Sequence, residues 1–338
     1  MRRITTIKNS SLFAPLDSFN IGLTLSAVRN FSVTNIRNMK LVQFTYLNDP
    51  SDVRVGFVEG DGIVDVNKVD STLPKSLIDV LKIGALPKIQ AIKCSNPTVE
   101  PMSGIRLEAP ITGMDKVLCI GLNYRDHCEE QNLKVPEVPI IFSKFASTVT
   151  GPSDPVKLRT EVTKEPNIHC ISLQKVDWEA EMVVVMGKEA SCVKSAEALN
   201  YVLGYTVAQD ISARDWQKER NGGQFLLGKA MDNFCPIGPW IVTSDEICDP
   251  QCLNIKCCVN GVLKQDSNTC QLIHKIPDVI ARLSSLMTLL PGDIILTGTP
   301  GGVGMHRSPP EYLKPGDVVT SEIEKIGVLQ TNFVEYKN

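Results

Sequence analysis

The sequence predicts a β-rich chain in which short strands outnumber helices, and three observations carry that expectation. Its apolar runs are short and rich in β-branched residues, as at 182–186 and 201–208. Turn signals separate them, among them Asn48-Asp49-Pro50, Glu59-Gly60-Asp61-Gly62 and Asn260-Gly261. Helical periodicity is confined to a few segments. The best is 276–290, with apolar residues at 276, 279, 280, 283, 286, 287 and 290.

In chain order, 40–46, 53–58 and 62–66 read as strands, and 76–82 as a helix stopped at Gly84. A polar, proline-dotted stretch runs to about Ile105. Residues 39–110 therefore form a small β-rich module ahead of the main body. The body opens with a strand at 116–121 and a helix starting near Tyr124, then a strand at 140–144 that ends on Lys144. Helices are expected at 195–203 and 212–220, a turn at Cys-Pro-Ile-Gly-Pro (235–239), and strands at 240–243, 253–259 and 262–265. After the 276–290 helix, Pro291-Gly292-Asp293 launches a strand at 294–297. The glycine loop 298–304 follows, and Pro315-Gly316-Asp317 introduces a closing strand at 318–323.

Composition bounds the function classes. At 338 residues the chain holds one large or two modest domains. Hydrophobic content of 43% with 22% charged residues is that of a soluble globular protein. No apolar run approaches the ~18 residues that cross a bilayer. A net charge of −3 with no basic, aromatic-interleaved stripe argues against a nucleic-acid partner. The charge is unevenly spread. Residues 1–38 hold Arg2, Arg3, Lys8, Arg29 and Arg37 against Asp17, a net +4 that leaves −7 for the rest. Basic, hydroxyl-rich and acid-poor describes a mitochondrial transit peptide, with a mature start near Ser32, or else an inconsequential tail. The 11 cysteines are odd in number and scattered. They read as small buried hydrophobes of a reducing compartment. Cys248, Cys252, Cys257 and Cys258 cluster, but without a C-x-x-C pair, and the adjacent Cys257 and Cys258 face opposite ways on a strand.

The chemistry centres on V-D-W-E-A-E-M-V-V-V-M-G at 176–187. Alternation puts Glu179 and Glu181 on one face at the mouth of a buried strand. Two adjacent carboxylates repel and are costly to desolvate, and a divalent cation relieves both problems. Asp210, just after the next apolar run, completes an oxygen-only triad suited to a hard ion. The plainer reading of E-x-E is the solvent face of an amphipathic strand. His127 and Glu130, three apart on an expected helix, share a face and form a candidate general base with its orienting carboxylate. A surface pair on a first helical turn is the plainer alternative. The 298–304 loop lacks the G-K-[ST] of a phosphate loop, yet its glycines let backbone amides approach a carboxylate closely.

Six ordered stretches together resemble the fumarylacetoacetate hydrolase superfamily: C-I-G-L-N-Y-R-D-H-C-E-E, V-D-W-E-A-E, Q-D-I-S-A-R-D-W-Q, L-L-G-K-A-M-D-N-F-C-P-I-G-P, P-G-D-I-I-L-T-G-T-P-G-G-V-G and L-K-P-G-D. The likeness runs from about Met39 to the end and is densest between Val117 and Gly327. It implies an α+β, β-rich fold, a mixed β-sandwich roll, assembled as a homodimer. It implies Mg2+, with Ca2+ or Mn2+ as alternatives, on Glu179, Glu181 and Asp210, and a His127–Glu130 base. It places Lys229 and Thr299 in the site, with Lys144, Arg214 and Gln217 toward substrate carboxylates. The implied reaction proceeds through the enolate of a small 2-oxo acid, foremost oxaloacetate keto–enol tautomerisation. Carbon–carbon bond hydrolysis, decarboxylation and a non-catalytic homologue are the alternatives. Against the family pattern, 166–175 (P-N-I-H-C-I-S-L-Q-K) reads as an insertion next to the first metal ligands, able to cover the site or displace Glu179. His169 and Cys170 within it are read as incidental.

Overall fold

The computed structural model describes residues 38–159 and 175–336. The expected transit segment, all but Asn38, and the expected insertion with His169 and Cys170, all but Lys175, lie outside the described residues. Two sheets and a two-stranded ribbon organise the described chain. The larger sheet has twelve strands. Its main path runs Glu100–Pro101, Gly62–Asp65, Asp49–Glu59, Lys40–Tyr46, Cys235–Thr243, Val202–Gln209, Ala180–Met186, Ile294–Leu296, Val117–Gly121, Ile140–Lys144. The smaller has five, in the order Val262–Asn268, Asn254–Val259, Val318–Ile323, Gly327–Glu335, Val156–Leu158. Pairing is mostly antiparallel, with Ile294–Leu296 parallel to Val117–Gly121. The result is the β-rich α+β architecture that the element pattern and the resemblance predict.

The Ala180–Met186 strand shows how the layers are held. Ala180, Met182, Val184 and Met186 enter one core with Ile255, Cys257, Val319, Leu329 and Phe333 of the smaller sheet. Val183 and Val185 enter a second core with Leu41, Phe57, Ile241 and the helix residues Leu77, Val80 and Ile89. Burial on both faces explains why this strand reads as a continuous apolar run. The strands of the amino-terminal module continue the same sheet, with Lys40 and Leu41 paired to Val242 and Ile241.

Several elements differ from expectation. The 235–239 turn is the first half of a strand, Cys235–Thr243, whose backbone pairs with Val202–Gln209 despite its two prolines. A helix, Leu86–Cys94, occupies the proline-dotted stretch, with Pro87 in its first turn, where a missing N–H costs nothing. The long helix stops at Leu286. Beyond it the chain is extended, with Leu289 in a bridge to Ala190. The 195–203 helix is a 3-10 turn, Ser195–Tyr201, that yields at once to the Val202–Gln209 strand, while 212–220 keeps a helix only over Arg214–Lys218. A final strand, Gly327–Glu335, follows the one expected to close the chain. Among the described residues no helix is long and apolar enough to cross a membrane.

Candidate active site

Strand register assembles the acidic triad. Ala180 pairs with Gln209 and Glu181 with Ala208, so the next pair outward brings Glu179 opposite Asp210. The Asp210 amide donates to the Glu179 carbonyl at 2.9 Å. Antiparallel partners share a face, which is why residues about thirty apart in sequence converge. Ligand oxygens of Glu179, Glu181 and Asp210 all lie within 4.8 Å of one another, and all three residues are buried. At this point the ladder gives way to side chains. The Glu179 amide donates to Gln209 Oε1 at 2.9 Å and the Ala180 amide to Gln265 Oε1 at 3.0 Å.

Charge is nearly balanced, with one gap. Lys229 Nζ donates to Glu179 Oε2 at 2.7 Å and Asp210 Oδ2 at 2.6 Å. Lys144 Nζ donates to Asp210 Oδ1 at 2.7 Å. Arg214 reaches Glu179 Oε1 at 2.7 Å and Asp177 Oδ2 at 2.9 Å. Burial alone would raise the Glu179 carboxyl, but the Lys229 and Arg214 charges overcome it and hold Glu179 well below the usual carboxylate range. Glu181 goes the other way. Burial first, then the Asp210 and Glu179 charges, push it well above that range, and the Gly298 amide at 2.7 Å offsets this only in part. Glu181 thus lacks the cation its neighbours have. An all-carboxylate donor set with one uncompensated member fits a hard divalent ion, and Glu179, Glu181 and Asp210 are the residues that would hold it.

The triad opens onto a cavity of about 270 Å3 lined by Glu179, Glu181, Arg214, Gln217, Lys229 and Thr299, with His127, Gln131 and His306 on the same wall system. His127 and Glu130 lie on the helix Arg125–Glu130, with Nδ1 and Oε2 3.0 Å apart. The carboxylate requires the proton on Nδ1, which leaves Nε2 as the basic nitrogen, and the Gln131 amide donates to it at 2.9 Å. Burial opposes ionisation of Glu130, but hydrogen bonds from His127 and the Gly302 amide prevail and lower it.

The glycine loop does what its sequence allows, toward the protein's own acids. Gly298 N reaches Glu181, Gly302 N reaches Glu130 at 2.9 Å, and Gly304 N and Met305 N reach Asp177 at 2.7 and 3.0 Å. Thr299 Oγ1 donates to the Ala180 carbonyl at 3.0 Å and accepts from Gln265.

Nine of the ten candidate residues thus line the cavity or bond directly to a side chain that lines it. Lys144 stands apart, fully buried behind Asp210 and bonded to the Ile211 carbonyl, off the cavity surface. Next to the expected insertion Glu179 keeps its place in the triad. Among the described residues the 248–258 cysteines form no metal-holding group, and Cys257 is buried against Gln209. Sequence reasoning passed over Asp177, Gln209, Gln265, Gln131 and His306. Asp177 carried a readable signal, since it has the same parity as Glu179 and Glu181. The glutamines carried none.

The profile described as fumarylacetoacetate (FAA) hydrolase C-terminal matches residues 116–334. The chain belongs to the fumarylacetoacetate hydrolase family. It is 47% identical over 319 residues to a Xenopus laevis protein named oxaloacetate tautomerase fahd2, mitochondrial, covering 93% of this chain and 96% of that one. Among solved structures it resembles the fumarylacetoacetate hydrolase of Exiguobacterium antarcticum, at a TM-score of 0.72 and 32% identity, covering 88% of this chain and 100% of the other. It also resembles maleylpyruvate hydrolase from Sphingobium sp. SYK-6 in complex with manganese (II) ion and pyruvate, at 0.70 and 29%, with coverages of 88% and 100%.

Proposed function

We propose that this protein is a metal-dependent oxaloacetate keto–enol tautomerase of mitochondria, using Mg2+ and assembling as a homodimer. One observation carries the reading: an oriented imidazole and a buried carboxylate triad with an uncompensated charge share a cavity sized for a small acid. The 47% identity to the Xenopus protein of that name supports the substrate, and the basic segment 1–38 agrees with the compartment.

A divalent cation on Glu179, Glu181 and Asp210 would supply Lewis-acid polarisation of the 2-oxo group. The chain's residues do the rest. His127 Nε2, its tautomer set by Glu130, takes the C3 proton and can return it. Gln131 covers that nitrogen and must swing aside for substrate. Lys229 adds fixed positive potential where negative charge develops on the 2-oxo oxygen. Arg214, locked to Asp177 and Gln217, keeps Glu179 aimed and ionised. Burial keeps bulk water from quenching these fields.

The deciding assay follows the decay of enol-oxaloacetate absorbance with Mg2+ and with EDTA. Acceleration that needs the metal, releases no pyruvate and falls at least ~100-fold in Glu181→Gln supports the reading. Pyruvate release would assign decarboxylase or hydrolase chemistry instead.

A further inference from the structure

Three of the site's cations are already committed. Lys229 is held between Glu179 and Asp210, Lys144 lies behind Asp210, and Arg214 is bonded to Asp177, Gln217 and Glu179. A 2-oxo dicarboxylic acid turns its oxo-acid end to the triad and carries a second carboxylate away from it. A different cation must meet that charge. Among the described residues, Lys218 is the lysine or arginine on the cavity wall with neither a hydrogen bond nor an ion pair. The Nε2 of His306, on the same wall, is shielded from solvent and does not open onto the cavity.

The helix Arg214–Lys218 sets where this lysine stands. Arg214 and Lys218 are four residues apart on it, so they are neighbours on one face, about one turn apart. Arg214 and Gln217 are buried, whereas Lys218 is exposed. The helix therefore carries the cavity wall from the arginine that touches Glu179 out toward solvent, with Lys218 at the outer end. Like charges at this spacing repel. Partial burial first, then the Arg214 charge, hold the Lys218 ammonium below the usual lysine range, and Glu179 and Asp177 offset this only in part. Its charge is also felt at His306, which ends the turn Gly304–His306, whose first two amides are held by the fully buried Asp177. A carboxylate bound at Lys218 would relieve the repulsion and accept from the uncommitted ammonium.

We infer that Lys218 Nζ binds the distal carboxylate of the substrate and sets the preference for 2-oxo dicarboxylates over 2-oxo monocarboxylates. This rests on the oxo-acid reading above and adds a residue to it. The test compares wild type, Lys218→Met, which keeps an apolar stem without the charge, and Lys218→Arg, which keeps the charge. With Mg2+ present, oxaloacetate and pyruvate, which differ only in the distal carboxylate, are titrated calorimetrically, and KM is measured for enol-oxaloacetate. Lys218→Met is expected to raise KM and weaken oxaloacetate binding about three- to tenfold, with pyruvate binding little changed. Lys218→Arg is expected to recover most of the oxaloacetate affinity. Equal weakening of pyruvate and oxaloacetate, or wild-type oxaloacetate binding in Lys218→Met, would overturn the assignment. If wild type binds both acids but fails to tautomerise oxaloacetate, the tautomerase reading falls, while the binding comparison still decides the role of Lys218.

Discussion

Two glutamates near the cavity are driven in opposite directions by what surrounds them. Glu130 is lowered because hydrogen bonds from His127 and the Gly302 amide outweigh its partial burial. A carboxylate depressed in the folded state adds stability above its unfolded value of about 4.3, and loses it as pH falls through the folded value. The stability difference between wild type and Glu130→Gln, measured by urea unfolding, is therefore expected to hold steady from pH 8 down to about 4.3 and to shrink below it. A difference already gone at pH 6 would contradict the pairing. Glu181, raised by burial and by Asp210 and Glu179, marks where the cation belongs. Parity alone made Glu179 and Glu181 legible as a pair. Their opposite titration was not, because it depends on Lys229 and Arg214, which arrive from 33 to 50 residues further along the chain.

At the scale of elements, the 298–304 loop is the part that joins triad, dyad and Asp177. Gly298 has φ +103, and a Cβ there would sit 2.8 Å from the Asn123 Cβ and 3.0 Å from the Ile120 carbonyl oxygen. Asn123 cannot easily retreat, because its side chain bridges the Thr297 carbonyl and the His274 backbone. Gly298→Ala is expected to cost about 1–3 kcal/mol and to weaken divalent-cation binding, since the amide that steadies Glu181 must shift. Denaturation and metal titration of the variant check both, and wild-type values in both would refute the clamp. The glycine pattern announced a loop that receives carboxylates. That these are the protein's own Glu181, Glu130 and Asp177 follows from which strands stand beside it. Likewise, Cys-Pro-Ile-Gly-Pro has every local mark of a turn, yet long-range pairing to Val207 and Ala208 holds it extended.

For the whole molecule, several acids and three cations are buried together at the ends of two neighbouring interior strands of the larger sheet, an arrangement whose desolvation cost a bound cation lowers. Saturating Mg2+ or Mn2+ at about 100 times its Kd is expected to add about 2.7 kcal/mol, seen as a rise of several degrees in Tm. EDTA should reverse the rise and Glu181→Gln should abolish it. A Tm indifferent to divalent ions would remove the metal centre from the account. By itself the sequence determined the β-rich class, the strands at 40–46, 182–186 and 318–323, the shared face of Glu179 and Glu181, and the His127–Glu130 pair. All of these follow from periodicities of two and of three to four residues, which act within a single element. Only the tertiary structure decided that Lys144 stands behind Asp210, that Asp177 fastens the His306 turn to Arg214, and that Gln209 and Gln265 carry the backbone beside Glu179. Those contacts join segments from 30 to over 120 residues apart, and no local period encodes which of them meet.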